Sequence, residues 1–360
     1  MRKSIIMKAV LCVCVLLLCG CVGVTHTSIQ TDKTIDDDKD KNTHKDNKKV
    51  PKRENGSLHI SLGFSTNMQD PRAVASTQFK QEVEEKTDGS IIVDIYPDSE
   101  LGSDASLISK VMTGHVDMTI SSAGNFSGYV KNEGVSALPF LFENFEQAWT
   151  FMDSSIIKDI DDELLQFNIR VLSHFDNGFR CVTTMNNSIN DPEDLVGLKI
   201  RVPDNAIVKE TMSQLGAKPI TLAFSELKQA LKDGVFDAQE NPIPVIYNNQ
   251  IYEVQNCLSV TNHSYDAMPF VISQTTWQML TKEEQKIISK AAENAQKTDR
   301  ELVKKQTEEY VSKLQNECGM TIVYPDLTEF KKKTQNVARF FCYDERLLEK
   351  IDGFLENNID

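Results

Sequence analysis

The sequence lacks the patterns by which common enzymes announce themselves. It holds no Gly-x-Ser-x-Gly elbow, no Gly-x-x-x-x-Gly-Lys-Ser/Thr loop, no His-Glu-x-x-His and no Gly-x-Gly-x-x-Gly. The nucleophile, phosphate cradle, zinc pair and dinucleotide turn that those patterns supply have no carrier. Histidine is scarce, six in 360 residues, and none of the eight cysteines forms a Cys-x-x-Cys pair or has a His at zinc spacing. Basic charge is in deficit: 39 Lys and Arg against 53 Asp and Glu leave a net charge of -14. Such a balance provides no broad basic face for phosphates, so nucleic acid is excluded as a partner. A membrane-spanning run is missing near the start as well. The apolar stretch from Ala9 to Leu18 has ten residues, about half of the ~20 that cross a bilayer.

What surrounds that stretch explains it. Arg2, Lys3 and Lys8 flank its start, and small residues follow. A basic start, a short apolar core and a small-residue end predict a secretory signal over residues 1–20. The signal ends in Leu18-Cys19-Gly20-Cys21, which resembles the lipobox of bacterial lipoproteins. In that pattern Cys21 becomes the lipidated first residue of the mature chain. Residues 21–57 are polar, "TDKTIDDDKDKNTHKDNKKVPKREN" being typical. They cannot bury enough apolar surface to offset their ordering entropy, which predicts a disordered tether. The expected location is outside the cytoplasm, lipid-anchored to the membrane and facing the periplasm or the cell exterior. Four cysteines remain in the body, Cys181, Cys257, Cys318 and Cys342, and spacing does not assign their pairing.

The folded body begins near Leu58 and is too long for one ordinary core, which predicts two lobes. Strand and helix signals alternate. Residues 58–64 read as a strand, and 72–87 as a helix with Ala75, Phe79 and Val83 on one face. Residues 90–97 read as a strand, followed by a helix closing on Gly114 and a strand over 116–122. Further on, 169–175 and 179–184 read as two strands. "DPEDLVG" is a short helix, and helices follow over 205–215 and 225–234, the last leading into "VFDAQ". This alternation is the mark of an α/β sheet. Thr281 and Glu284 stand in capping-box spacing and open a helix that runs towards Gly319, roughly 55 Å long. A helix of that length crosses between lobes or kinks.

One short strand poses a question. In "GLKIRVPDN", residues 197–205, Leu198, Ile200 and Val202 alternate, so Arg201 points to the opposite face from Ile200 and Val202. Alternation alone turns Arg201 to water. An exported, tethered, two-lobed α/β protein without enzyme motifs nevertheless suits a solute receptor with a cleft at the strand ends.

Longer stretches point the same way. "DPEDLVGLKIRVPDN", "LGAKPITLAFSELKQALKDGVFDAQENP", "YEVQNCLSVTNH" and "WQMLTKEEQKIISKAAENA" resemble the solute-binding subunits of TRAP transporters, the tripartite ATP-independent systems. "FKQEVEEKTDGSIIVDIYPDSELGSDASLISKVMTGHVDMTISSAG" and "ALPFLF" extend the resemblance over roughly residues 58–330. It implies a periplasmic-binding-protein-like fold: two α/β lobes, each a sheet flanked by helices, joined by crossing strands and one long helix. Lobe I is then 58–178 plus about 266–305, and lobe II is 179–265 plus about 306–360.

The resemblance also turns Arg201 into the cleft, where its planar fork pairs with a substrate carboxylate. It implies that Asn241 touches the same substrate region and helps orient that Arg. Arg180 is a second cleft Arg, and Phe224 packs on the ligand. Where sialic-acid binders carry a Glu and an Arg, "DMTISSAGNF" has Ser122 and Asn125, neutral groups that suit sugar hydroxyls. Asn67 and Asp104 complete the expected pocket. The expected ligand is an organic acid, a sugar acid such as a uronate, passed to the TRAP membrane permease subunits. A dicarboxylate binder and a sensory receptor of the same fold are the alternatives. No catalysis, cofactor or metal is expected.

Overall fold

The computed structural model describes residues 56–341 and 343–357. The signal, Cys21, nearly all of the tether, and Cys342 lie outside the described residues. In the first half of the body, β1 (Leu58–Gly63) pairs in parallel with β2 (Ile91–Tyr96) on one side and β3 (Met118–Ile120) on the other. Helix α1 (Pro71–Lys86) connects β1 to β2. Asp70 caps it by accepting from the Arg72 N–H, Pro71 sits where its missing N–H costs nothing, and Ala75, Phe79 and Val83 are fully buried. Helix α2 (Asp104–Met112) leads to β3 and ends before Gly114, whose φ of +71° suits a left-handed helix end.

The second half repeats this logic. Here β5 (Lys199–Val202) lies between β6 (Lys218–Thr221) and β7 (Ala238–Pro242), both parallel to it. Two long antiparallel strands join the halves: β4 (Ile169–Thr184) and β8 (Cys257–Ser273), of 16 and 17 residues. The sequence reading split β4 in two around Asp176-Asn177-Gly178. The structure keeps it whole, because register shifts between Val171 and Ser173, Asp176 and Gly178, and Arg180 and Val182 absorb the irregular residues. Bulges of this kind bend and twist a strand without ending it, and Gly178 supplies a φ of +103°. The result is one nine-stranded sheet in the order β2-β1-β3-β8-β4-β7-β5-β6, with β9 (Thr321–Val323) beside β8. This is the two-lobed α/β architecture expected, with the two half-sheets continuous through the crossing strands.

The long helix is Lys282–Asn316, 35 residues. Thr281 and Glu284 form both arms of its capping box, at 3.2 and 2.7 Å. It packs on α1, on β4 and on the helix Ile243–Asn248. Its Asp299 accepts from the Asp176 N–H at 2.6 Å, inside the β4 bulge.

Separate apolar clusters serve the two halves. Ile60, Phe79 and Phe270 belong to one, and Ile200, Val202 and Val208 to another. The sequence division gave 306–360 to lobe II, and Leu314, Met320 and Phe330 pack there. Val337, Tyr343, Ile351 and Leu355 share a cluster with Leu107 and Phe151 and with Ile207 of the second half, and the helix Val337–Phe340 also packs on the helix Ala206–Gln214. The amphipathic helix Glu345–Glu356 buries its apolar face there, with Phe354 edge-on to Phe151 at 5.8 Å. Cys181 and Cys257 are buried free thiols and Cys318 is a partly buried one. No helix of the described residues is long and apolar enough to cross a membrane.

Candidate functional site

The residues that follow β1, β3 and β5, together with β7 itself, converge on one cavity. The space there not occupied by protein atoms is about 410 Å³, part of it open to solvent. Seven of the eight residues expected from sequence line it: Arg201, Asn241, Arg180, Phe224, Ser122, Asn125 and Asp104. Asn67 does not. Its Nδ2 donates to the Asn248 carbonyl and to Asn249 Oδ1, both at 3.1 Å, so it ties the first half to the second beside the cavity. On another side Gly124 meets Asn205, the cap of the helix Ala206–Gln214. A Cβ on Gly124 would fall 1.8 Å from Asn205 Nδ2, so only glycine permits this approach.

Arg201 answers the question that its strand posed. It is 3 % exposed, so alternation turns it into the cavity and not to water. Nε and Nη2 both donate to the Leu222 carbonyl, at 2.9 and 2.7 Å. The guanidinium carbon stands 6.0 Å from the centre of the Phe224 ring. Among the described residues Nη1 has no acceptor and no carboxylate forms an ion pair with Arg201. Burial lowers its pKa to about 10, against the pull of Glu240 and Asp104, so it stays charged at neutral pH. A buried cation without a counter-charge is costly, and an anionic ligand removes that cost.

Arg180 is different, though equally buried. Its Nε and Nη1 are paired with Glu240 and Asp266. Nη2 donates to Glu240 Oε1 at 2.8 Å, to the Glu240 carbonyl at 2.9 Å and to Asn241 Oδ1 at 3.2 Å. Asn241 Nδ2 donates in turn to Gln239 Oε1. The expectation that Asn241 orients Arg201 is corrected here: its oxygen is on Arg180. Burial opposes the charge of Glu240, but Arg180 and His263 outweigh it and hold that carboxyl below its usual range. His263 Nε2 lies 3.4 Å from Glu240, and burial lowers its pKa.

The first half contributes mainly neutral groups. Ser65 Oγ donates to both oxygens of Asp104, at 3.0 and 3.1 Å. Burial raises the Asp104 pKa although Arg72 and Arg201 pull it down. Asn125 Nδ2 donates to Ser121 Oγ at 2.9 Å. The sequence reading missed Ser65, Thr66, Asn177 and, above all, Arg72, which also line the cavity. One signal marked Arg72: a cation in the first turn of a helix faces the positive end of the helix dipole, an unfavourable place unless something else holds it. No group of His, Cys, Asp and Glu among the described residues has a metal-binding arrangement.

The profile of bacterial extracellular solute-binding proteins, family 7, matches residues 63–344. The chain is a TRAP solute-binding protein. Relatives agree. The sialic acid-binding periplasmic protein SiaP of Vibrio cholerae is 32 % identical over 289 residues, 80 % of this chain and 89 % of that one. A TRAP solute-binding protein from Polaromonas sp. JS666, solved bound to D-erythronate, superposes with a TM-score of 0.81 at 28 % identity. That match covers 84 % of this chain and 100 % of the other. The sugar-acid-binding protein of Advenella mimigardefordensis, solved with galactonate, gives 0.77 at 28 % identity, covering 84 % and 97 %. TRAP solute-binding proteins are receptors that work with membrane permeases, and this TRAP receptor presents its cavity at the strand ends, with Arg201 in the wall and no carboxylate paired with it among the described residues.

Proposed function

We propose that this TRAP receptor captures a sugar acid in the cleft, with Arg201 on the acid's carboxylate, and delivers it to its permease. The observation that carries this reading is the contrast at the cavity wall: among the described residues Arg201 lacks a carboxylate partner, while Arg180 has two. In this reading Phe224 packs on the ligand, Asn241 and Arg180 form a rigid floor, and Ser122, Asn125 and Asp104 meet hydroxyls. The erythronate and galactonate bound by the two similar structures support a hydroxylated acid. Ser122 and Asn125 speak against sialic acid, despite the likeness to its Vibrio binder. The lobes divide where Gly178 pairs with Asp266 and Phe179 with Tyr265, and the helix Glu345–Glu356 goes with the first lobe.

A thermal-shift screen of organic acids tests the function. A ligand at about a hundred times its dissociation constant adds roughly 2.7 kcal/mol of stability. Sugar acids are expected to raise the melting temperature. If neutral sugars do so and no carboxylate does, the reading fails. We also propose that Cys21 anchors the protein in the membrane by a lipid, because Leu18-Cys19-Gly20-Cys21 directly follows a signal-like run. Labelled fatty acid should enter the parent protein and not a Cys21→Ser variant; label in the variant would refute the anchor.

A further inference from the structure

Arg72 is a buried cation whose donors are poorly used. It is 4 % exposed, at the first turn of α1, where the helix dipole disfavours it. Nη1 reaches only the Ile120 carbonyl, at 3.4 Å. Nε lies 3.7 Å from Asp70 Oδ1 and makes no hydrogen bond. Nη2 has no acceptor among the described residues. Buried guanidinium donors are rarely left like this unless something else completes them. Arg72 lines the same cavity as Arg201 but belongs to the opposite half of the molecule, and Asp104 is close enough to feel both charges.

Charge around the cavity limits what Arg72 can hold. Arg72, Arg180 and Arg201 face Asp70, Asp104, Glu240 and Asp266. One ligand carboxylate on Arg201 already leaves the set rich in negative charge. A second carboxylate near Arg72 would meet Asp104 and Asp70 as well. A hydroxyl meets no such repulsion, and it can accept from Arg72 while donating to Asp104.

We propose that Arg72 is a specificity residue: with Asp104 it reads a hydroxyl on the part of the ligand away from Arg201, so the cleft selects polyhydroxy monoacids over diacids. This inference rests on the sugar-acid reading above.

The test uses acids that differ only at the terminal carbon. Galactonate ends in CH2OH, fuconate in CH3 and galactarate in a carboxylate. Erythronate, 2,3-dihydroxybutanoate and tartrate form the four-carbon equivalent. Calorimetric titration of the parent protein should find the hydroxyl-ended member of at least one series about ten- to hundredfold tighter than its methyl- and carboxylate-ended partners, the range of a hydrogen bond to a charged group. In Arg72→Gln the hydroxyl-to-methyl ratio should collapse to within about threefold, with the affinity for the methyl-ended acid unchanged. Arg72→Lys, which keeps a cation beside Asp70, should give the same collapse if the Gln variant does not fold. A merely structural Arg72 would weaken all members alike, and that result overturns the proposal. So does an unchanged ratio, or a parent that prefers the diacid. If the parent binds none of the six but other carboxylates raise its melting temperature, this inference falls alone. If no carboxylate binds, the proposed function falls first.

Discussion

Two arginines stand in one cleft and are built for different work. Arg180 spends its donors on Glu240, Asp266 and Asn241. Arg201 leans on a single backbone carbonyl and keeps Nη1 for the cavity. Burial is the same for both, so exposure does not distinguish them. What distinguishes them is whether the protein supplies the counter-charge. Where it does, the cation holds the fold together. Where it does not, the proposed function has a ligand carboxylate supply the missing charge.

The largest expected effect follows from breaking the satisfied member. Arg180→Ala leaves Glu240 and Asp266 buried without their cation. It is expected to cost about 3–5 kcal/mol of stability, the usual penalty for removing one partner of a buried ion pair. Chemical denaturation measures it, and a loss under 1 kcal/mol would make the network incidental. Arg201→Ala should behave in the opposite manner. It removes an uncompensated buried charge, so stability should hold, while affinity for the best acid falls by about 2–5 kcal/mol. Arg201→Lys should also bind poorly, because a point charge does not replace a planar fork. Calorimetry with circular dichroism separates the two outcomes; parent-like affinity in folded Arg201→Ala would remove this residue from the site.

The smallest effect sharpens the same contrast from the acidic side. Glu240 is buried beside a cation and held low. Asp176 is equally buried, but its donors are Trp149 Nε1 and the Gly178 N–H, both at 2.6 Å, and burial raises its pKa from 3.8 to about 7. The folded state therefore keeps a proton that the unfolded chain releases above about pH 4. Its contribution is fully present below that pH and is lost as the pH rises through 7. Asp176→Asn should recover on the order of 1–2 kcal/mol at pH 8, part of the ~1.4 kcal/mol per pH unit at stake, since one amide oxygen must serve two N–H groups. Denaturation curves at pH 5 and pH 8 check this; an equal effect at both would show that no proton is involved.

The legible parts of the sequence were local. Apolar residues four apart set α1, and Thr281 with Glu284 marked the start of the long helix, because caps and periodicity act within one or two turns. Arg201 was legible by resemblance and misleading by alternation, since alternation says which face a side chain takes and not what covers that face. The continuity of β4 was hidden because Asp176-Asn177-Gly178 reads as a turn and is rescued by bulges against β8. Arg72 was hidden because its meaning depends on Ile120 and Asp104, 48 and 32 residues away. The C-terminal helix Glu345–Glu356 was missed, though its amphipathic face is a local pattern.

Asp299 is the middle residue of the long helix, seventeen from each end, and it is fastened to the bend in β4. One arm is tied to α1 by Asn294 and Glu82, at 3.0 Å, and the other to Asn248 by Gln306, also at 3.0 Å. The helix is thus held at its midpoint by a crossing strand and on either side of it by a different half of the molecule. At 1.5 Å per residue each arm is about 25 Å long. A rotation about Asp299 would carry the two tips in opposite senses, each against a different half of the molecule.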